Sequence, residues 1–320
     1  MDRRQFIGGM VAVGGLALTD PAYVLNAAGR DTKTSRRAKD EDKVVLVSDF
    51  HTNPEGYQSD RLRMVVVDIL KMRPLPRAVV AFGDIAYLTG REDEYRNARE
   101  ILSPLEEAGI ELVLGMGNHD RRDNFSVVFP EHASSSLLQD RLVSILEGPY
   151  ADIIMLDSLQ QGEDRSTWIT EGAIDPAQRQ WLADTLSAYR KPVFVAAHHP
   201  LEEIRIDDLL LGCPYCAGFI YGHNHIWRRN WIHINYSSQR IVPTICLPST
   251  GHWGDIGYVV FRMMPDRAEA ELVQTDFYFP KEVPASERPP QWDCMVENNR
   301  GAHSTFLYPK TASIPDHLRP

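Results

Sequence analysis

The sequence lacks any apolar run long enough to cross a bilayer as a helix, which takes about 18 residues or more. Its longest run, Phe6 to Leu18, is 13 residues and contains four glycines. Cysteine is scarce: four in 320 residues, too few for a disulfide scaffold. No internal repeat is visible. Hydrophobic residues make up 43% and charged residues 24%, ordinary globular values that exclude collagen, coiled coil and general disorder. Positive charge is also short, with 34 Lys and Arg against 44 Asp and Glu, a net charge of −10. The first 43 residues hold eight basic and six acidic residues, so the remainder from Val44 carries −12. A body so charged repels nucleic acid unless a local site overrides the global field, and no nucleic-acid partner is expected.

What is present begins with an address. Asp2-Arg3-Arg4-Gln5-Phe6-Ile7 followed by the apolar stretch to Leu18 resembles a twin-arginine export signal. Residues 1–28 are read as that signal, with the export machinery as partner and the periplasm or cell envelope as destination. Small residues follow at Ala27 and Ala28 without a clean Ala-x-Ala, which leaves an uncleaved membrane anchor open. Residues 29–43 are polar and read as a linker.

From Val44 the chain alternates short apolar runs with amphipathic stretches, the pattern of βαβ units in an α/β fold. The expected strands are Val44–Ser48, Ala78–Phe82, Glu111–Met116, Ile153–Leu156, Pro192–Ala197 and Ala217–Tyr221. Helices are expected over Arg61–Met72, over Glu92–Ala108 with Gly109 as its stop, and from Asp175, where an N-cap, a first-turn proline and Gln178 as capping-box partner fall in register. After His225 the texture changes to Ile226–Asn235, Arg240–Leu247, Gly257–Met263 and Ala270–Tyr278, read as antiparallel strands. The globular domain is set at 44–279, followed by a proline-rich C-terminal extension over 280–320.

Five of the strands deliver Asp, Asn or His within about two residues of their ends. The series is Asp49 and His51, then Gly83-Asp84, then Gly117-Asn118-His119-Asp120, then His198-His199-Pro200, then Gly222-His223-Asn224-His225. In an open α/β sheet the carboxyl ends of parallel strands share one edge, where ligands bind, so these groups should converge. Oxygen and imidazole donors without thiolate suit Zn, Mn or Fe and disfavour a structural cysteine–zinc site. There are more donors than one tetrahedral ion needs, and a carboxylate bridging two ions accounts for the excess.

Taken together, this series resembles the calcineurin-like metallophosphoesterase superfamily over Val44 to Tyr278. The spacing, Arg122 and a helix carrying Gln180-Trp181-Leu182 look closest to class III cyclic-nucleotide and glycerophosphodiester phosphodiesterases. The resemblance implies a four-layer αββα sandwich and a two-metal centre. It implies Asp49, His51 and His225 on the first ion and Asn118, His198 and His223 on the second, with Asp84 bridging. It also implies His119 beside the substrate, oriented by Asp120, while Asn118, His199 and Arg122 are the candidate substrate contacts. The expected reaction is in-line attack on phosphorus by a hydroxide held between two divalent cations about 3.5–4 Å apart, with His119 protonating the leaving alkoxide.

Charge counting leans toward a small-molecule phosphodiester. Two divalent ions less Asp49, Asp84 and one hydroxide leave a single positive charge, the match of a diester monoanion. A monoester dianion would need further cations, for which Arg121 and Arg122 stand nearby, so a phosphomonoesterase of the acid-phosphatase kind stays as the alternative, and a non-catalytic binding protein on the same fold as a remote one. Gly83-Asp84-Ile85-Ala86-Tyr87 also matches the Gly-Asp-x-x-Tyr of purple acid phosphatases, although His51 occupies the place that family leaves without histidine. Cys213-Pro214-Tyr215-Cys216 precedes a strand and reads as a loop closed by a disulfide after export, with Cys246 and Cys294 leaving other pairings open. Trp227, Trp231, Trp253 and His252 are rim or packing residues. Substrate specificity is assigned to the loops Asn53–Asp60, Asn124–Ser136 and Glu202–Leu211.

Overall fold

The computed structural model describes residues 38–233, 241–278 and 299–309. The expected export signal, most of the linker, and Cys294 lie outside them. In chain order the elements are β1 (Lys39–Val47), α1 (Tyr57–Lys71), β2 (Leu75–Ala81), α2 (Glu92–Glu107), β3 (Glu111–Leu114), α3 (Arg122–Val128), α4 (Pro130–Ser134), β4 (Ser144–Leu146), β5 (Asp152–Met155), α5 (Pro176–Ala188), β6 (Val193–Ala197), α6 (Leu201–Ile204), α7 (Asp207–Gly212), β7 (Cys216–Tyr221), β8 (Arg228–His233), β9 (Ile241–Cys246), β10 (Gly254–Met263), β11 (Arg267–Tyr278) and β12 (His303–Leu307). They form two six-stranded sheets, ordered β12-β11-β10-β1-β2-β3 and β4-β5-β6-β7-β9-β8. No helix among the described residues is long and apolar enough to cross a membrane.

Strand parity builds the layers. Successive side chains of a strand point to opposite faces. Val45 and Val47 of β1, with Val79 and Ala81 of β2, pack under Leu62, Val65 and Ile69 of α1 and Ile101 and Leu105 of α2. Their neighbours Val44, Leu46, Ala78 and Val80 face the other way and meet Ile153, Met155, Phe194, Ala196 and Ile220 of the second sheet. The alternate residues of that sheet, Ile154, Val193, Val195 and Phe219, lie under Leu182 and Leu186 of α5 and Leu210 of α7. The order is therefore helix, sheet, sheet, helix, as the resemblance implies. Strands buried on both faces read as unbroken apolar runs, which is why β1, β2 and β6 are legible in the sequence.

Several details depart from the sequence reading. β1 begins at Lys39, and β12, inside the stretch read as a C-terminal extension, extends the first sheet by pairing antiparallel with β11. β9 pairs parallel with β7 and only β8 runs antiparallel to it. Two of the stretches read as loops contain the short helices α3, α4, α6 and α7. Asp175 caps α5 as expected, accepting from Ala177 N–H at 2.9 Å and Gln178 N–H at 3.0 Å. Gln178 is not its capping partner. It is fully buried, accepting the Asp157 N–H at 2.8 Å and donating to the Asp157 carbonyl at 2.7 Å. Cys213 and Cys246 are buried free thiols, so no disulfide joins Cys213 to Cys216.

The interface between the sheets is held by an aromatic trio. Phe194 of β6 is fully buried and meets Phe261 of β10 edge-on at 5.0 Å and Phe306 of β12 at 5.4 Å. Phe194→Ala should cost about 3–5 kcal/mol of unfolding free energy in a urea titration. A loss below about 1 kcal/mol would show that this packing does not hold the sheets together.

Candidate metal centre

The loops leaving β1, β2, β3, β6 and β7 meet at one edge of the two sheets. Backbone hydrogen bonds stitch them: Asp49 N–H to Gly83 O at 3.0 Å, His51 N–H to Asp84 O at 2.8 Å and Gly222 N–H to His198 O at 3.0 Å. Bonds across the sheets join them too, with Phe82 O accepting from His198 Nδ1 at 2.8 Å and Asp49 Oδ2 accepting from His223 N–H at 3.2 Å. The turns are strained. Seven non-glycine residues among those described have positive φ, and five are Asp49, His51, Asp84, His223 and His225. Asp, Asn and His tolerate the left-handed region best, but each such residue still stores energy that the surroundings must supply, a pattern concentrated at functional sites. Gly117 is required by crowding, because a Cβ there would lie 2.2 Å from Asp84 Oδ1 and 2.4 Å from Asp84 N.

The side chains converge as the sequence predicts. Asp49, His51 and His225 bring one ligand atom each within 4.8 Å of one another, and so do Asp49, Asp84 and His198. Asp84 Oδ2 lies 3.5 Å from His51 Nε2 and 3.3 Å from His198 Nε2, between the two expected sets. Asn118 Oδ1 lies 3.1 Å from His198 Nε2 and 3.0 Å from His223 Nδ1. All of these residues except His223, which is partly exposed, are buried.

The inner surface of this cluster fits cations. His51, His198 and His225 each present Nδ1 to a backbone carbonyl, of Tyr87, Phe82 and Trp253, at 2.9, 2.8 and 3.1 Å. A carbonyl accepts, so Nδ1 carries the proton and the Nε2 lone pair turns inward, the tautomer that metal-ligating histidines adopt. Lone pair then faces lone pair: His51 Nε2 is 3.3 Å from His225 Nε2, and His225 Nε2 is 3.1 Å from Asp49 Oδ1. Asp49 Oδ1 is buried with no hydrogen-bond partner. Acceptors so crowded repel unless positive charge lies among them. The titration pattern shows the same demand for positive charge, met without a metal by a proton on His198. Burial, reinforced by its histidine neighbours, lowers His51 and His223 to about 3, which keeps both neutral. Burial would also lower His198, but the Asp84 carboxylate overrides it and lifts it to about 9. Burial opposes ionisation of Asp84, yet His198 and His119 hold it well below the usual carboxylate range. His223 differs in turning Nδ1 inward, with its Nε2 3.9 Å from Glu203 Oε1.

The residues around the cluster require three corrections. Asp120 does not orient His119. The Leu88 carbonyl takes His119 Nδ1 at 2.8 Å, while the Asp120 carboxylate accepts the N–H groups of Ile85, Ala86 and Gly117 and the Tyr95 hydroxyl. Burial and the neighbouring Asp84 charge raise Asp120 to about 7. Arg122 is committed elsewhere, gripping Asp157 with Nε at 2.6 Å and Nη2 at 2.7 Å and the Leu159 carbonyl at 2.7 Å. His199 is fully buried behind the site, with Nδ1 2.8 Å from Ser158 Oγ, and is closed to substrate, although it groups with His198 and His223.

Beyond the cluster, Tyr87 lies edge-on to His252 at 5.8 Å, His252 tilts against His51 at 4.5 Å, and Trp253 covers His225 at 4.1 Å. Trp227 packs against the core between the sheets, and the Trp231 side chain lies outside the described residues. The sequence reading missed Leu88, whose contribution is a backbone atom, and Trp168, whose ring lies 4.7 Å from His119.

Comparison with known proteins points the same way. The family model for calcineurin-like phosphoesterases matches residues 42–227. A "Probable cyclic nucleotide phosphodiesterase" of Rhodopseudomonas palustris is 24% identical over 78% of this chain and 86% of its own length. A "cAMP/cGMP dual specificity phosphodiesterase" of Mycobacterium tuberculosis is 32% identical over 44% of the chain, which spans 42% of that relative. Among solved structures, a dimetal phosphatase from Danio rerio superposes with a TM-score of 0.57 at 16% identity, covering 72% of this chain and 95% of its own. A purple acid phosphatase from yellow lupin gives 0.51 at 12% identity, over 72% of this chain and 51% of its own.

Proposed function

The chain belongs to the calcineurin-like phosphoesterase family, and from that premise we propose that it hydrolyses phosphodiesters, with cyclic nucleotides as the favoured substrate class. It is a metal-dependent phosphoric ester hydrolase, and the family implies a binuclear divalent centre. The names of its two relatives support the cyclic-nucleotide class. One observation carries the diester reading. The two cations that a monoester dianion would recruit, Arg121 and Arg122, are both engaged: Arg122 by Asp157 and Arg121 by Asp123 and the Gly162 carbonyl. The charge that remains suits a monoanion.

In this reading Asp49, His51 and His225 hold one ion, Asn118, His198 and His223 the other, and Asp84 lies between them. When bound, two divalent ions supply Lewis acidity and make water nucleophilic at neutral pH. The chain supplies the rest. The carbonyls of Tyr87, Phe82 and Trp253 fix three imidazoles in the ligating tautomer. Asp84 Oδ1 accepts the His119 N–H at 2.8 Å, which ties the His119 backbone to the centre. The Leu88 carbonyl fixes Nδ1 of His119, so Nε2 is the atom that gives its proton to the leaving oxygen. Water adds to phosphorus, one P–O ester bond breaks and the leaving oxygen takes a proton: an acyclic diester gives a phosphomonoester and an alcohol, and a cyclic one opens to a single phosphomonoester that carries the freed hydroxyl.

The manganese-loaded enzyme should prefer bis-p-nitrophenyl phosphate to p-nitrophenyl phosphate by about tenfold or more in kcat/KM. His119→Ala should then lose about 10²–10⁴-fold on alkyl diesters and far less on nitrophenyl esters, which depart without a proton. A monoester preference would overturn the diester reading, and equal losses on both leaving groups would remove His119 as the acid.

The Arg3-Arg4 signal, the apolar run behind it and the polar stretch to Lys43 support export to the periplasm or cell envelope. A site assembled from five strand ends forms only in the folded chain, which suits a route that carries folded, metal-loaded protein. Replacing Arg3 and Arg4 with Lys keeps the charge and should trap active enzyme in the cytoplasmic fraction. Export of that variant at the wild-type level would contradict a twin-arginine route.

A further inference from the structure

His119 faces a narrow cleft whose outer wall is the segment 156–175, which joins β5 to α5 with no regular structure of its own. Both ends of the segment are pinned. Leu159 N–H bonds the Asp157 carboxylate, Ala173 N–H bonds the Ser158 carbonyl at 3.0 Å, and Gly172 N–H bonds Glu203 Oε2 at 2.7 Å. Its middle carries Trp168, which is 42% exposed although it is the largest apolar side chain type. An indole left this open contributes little to the core, and among the described residues its ring meets that of His119, at 4.7 Å and a 46° tilt. Asn118, Thr89, Gln160, Gln161 and Thr167 are among the other residues that line the cleft. The Gln161 oxygen accepts the Arg122 N–H at 2.8 Å, so its amide nitrogen is the group left to donate.

The acid marks where the leaving group must lie, because Nε2 of His119 has to reach its oxygen. The group that leaves is therefore also the group that meets Trp168. As the cleft stands, the room inside it is about 10 Å³, about that of one water and too little for a leaving group. An entering leaving group must displace the indole from His119, and a flat aromatic group can take the ring's place and stack against it. We propose that Trp168 is the specificity residue of the leaving-group subsite: an indole shelf that selects phosphodiesters whose leaving oxygen belongs to a nucleoside and that rests against His119 when none is bound. Aliphatic leaving groups such as glycerol offer no π-face to repay the displacement, whereas any nucleobase does.

This inference rests on the phosphodiesterase reading, and the test separates the two. The substrates are 3′,5′-cyclic adenosine monophosphate and its base-free analogue, a methyl riboside 3,5-cyclic phosphate, which differ only in the nucleobase. The ratio of their kcat/KM values should fall about tenfold in Trp168→Ala and recover most of the way in Trp168→Phe. An unchanged ratio would overturn the proposal and leave Trp168 as a positioning residue for His119. A second readout does not need turnover. Adenosine 5′-monophosphate should quench part of the tryptophan emission of the metal-loaded wild type, a component missing from Trp168→Phe, and ribose 5-phosphate should not. Equal quenching by both compounds, or quenching that persists in the Phe variant, would also overturn it. Failure of the wild type to cleave any diester, with adenosine 5′-monophosphate still quenching Trp168, would reject the phosphodiesterase reading and keep the nucleoside subsite.

Discussion

Two carboxylates, Asp49 and Asp84, are buried within 4 Å of imidazole nitrogens whose other ring atoms are already spent on backbone carbonyls. A buried anion of this kind is costly unless it is paired, and the cost of an isolated one is large enough to shift protonation or unfold the site. Among the described residues the ion-pair partners of both carboxylates are histidines, with no Lys or Arg. The pairing charge comes from a proton on His198 or from cations among the donors. The surrounding architecture serves that one requirement: five strands ending together, two glycines that let Asp84 and the β3 loop touch, and left-handed turns at Asp49, His51, Asp84, His223 and His225 that aim side chains inward. The two sheets supply the rigidity, because their inner faces lock through Phe194, Phe261 and Phe306 before any loop geometry matters.

The same constraint explains which expectations survive. The donor series was legible because each motif follows an unbroken apolar run, and runs buried on both faces are the plainest strand signal a single sequence offers. Asp49, His51, Asp84, Asn118, His198, His223 and His225 could be placed at one edge because they follow strand ends, and the carboxyl ends of parallel strands share an edge. The weaker readings failed where a residue's partner is remote in sequence. Asp120 stands beside His119 in the chain, yet adjacent residues point apart, and its carboxylate turns back to bind Ile85, Ala86 and Gly117. Arg122 looked free for substrate because Asp157, its partner, lies 35 positions away on a stretch without a charge pattern. Gln178 sits at a capping position, but burial pulls its amide onto the backbone of Asp157. β12 lies in a tail whose proline content masks a five-residue strand, and β9 takes a parallel place because β8 alone supplies the antiparallel return.

Specificity was the least legible layer. The sequence reading assigns specificity to the loops Asn53–Asp60, Asn124–Ser136 and Glu202–Leu211, which carry no readable code. The residue that meets the acid, Trp168, comes instead from the segment between β5 and α5, where nothing in the local sequence marks it. Its meaning appears only once His119 is placed, since the leaving group's position follows from the acid and the aromatic surface follows from the leaving group. The Leu88 carbonyl is hidden for a simpler reason: it is a main-chain atom and has no side-chain signature.

The central claim is that the donor cluster holds two ions with Asp84 between them. Anomalous scattering from crystals of the manganese-loaded protein tests it directly. The account predicts two peaks about 3.5–4 Å apart, one among Asp49, His51 and His225, the other among Asn118, His198 and His223, with an Asp84 oxygen reaching both. A single peak, or a second ion drawn to His199 with Asp84 bound to only one, would contradict it.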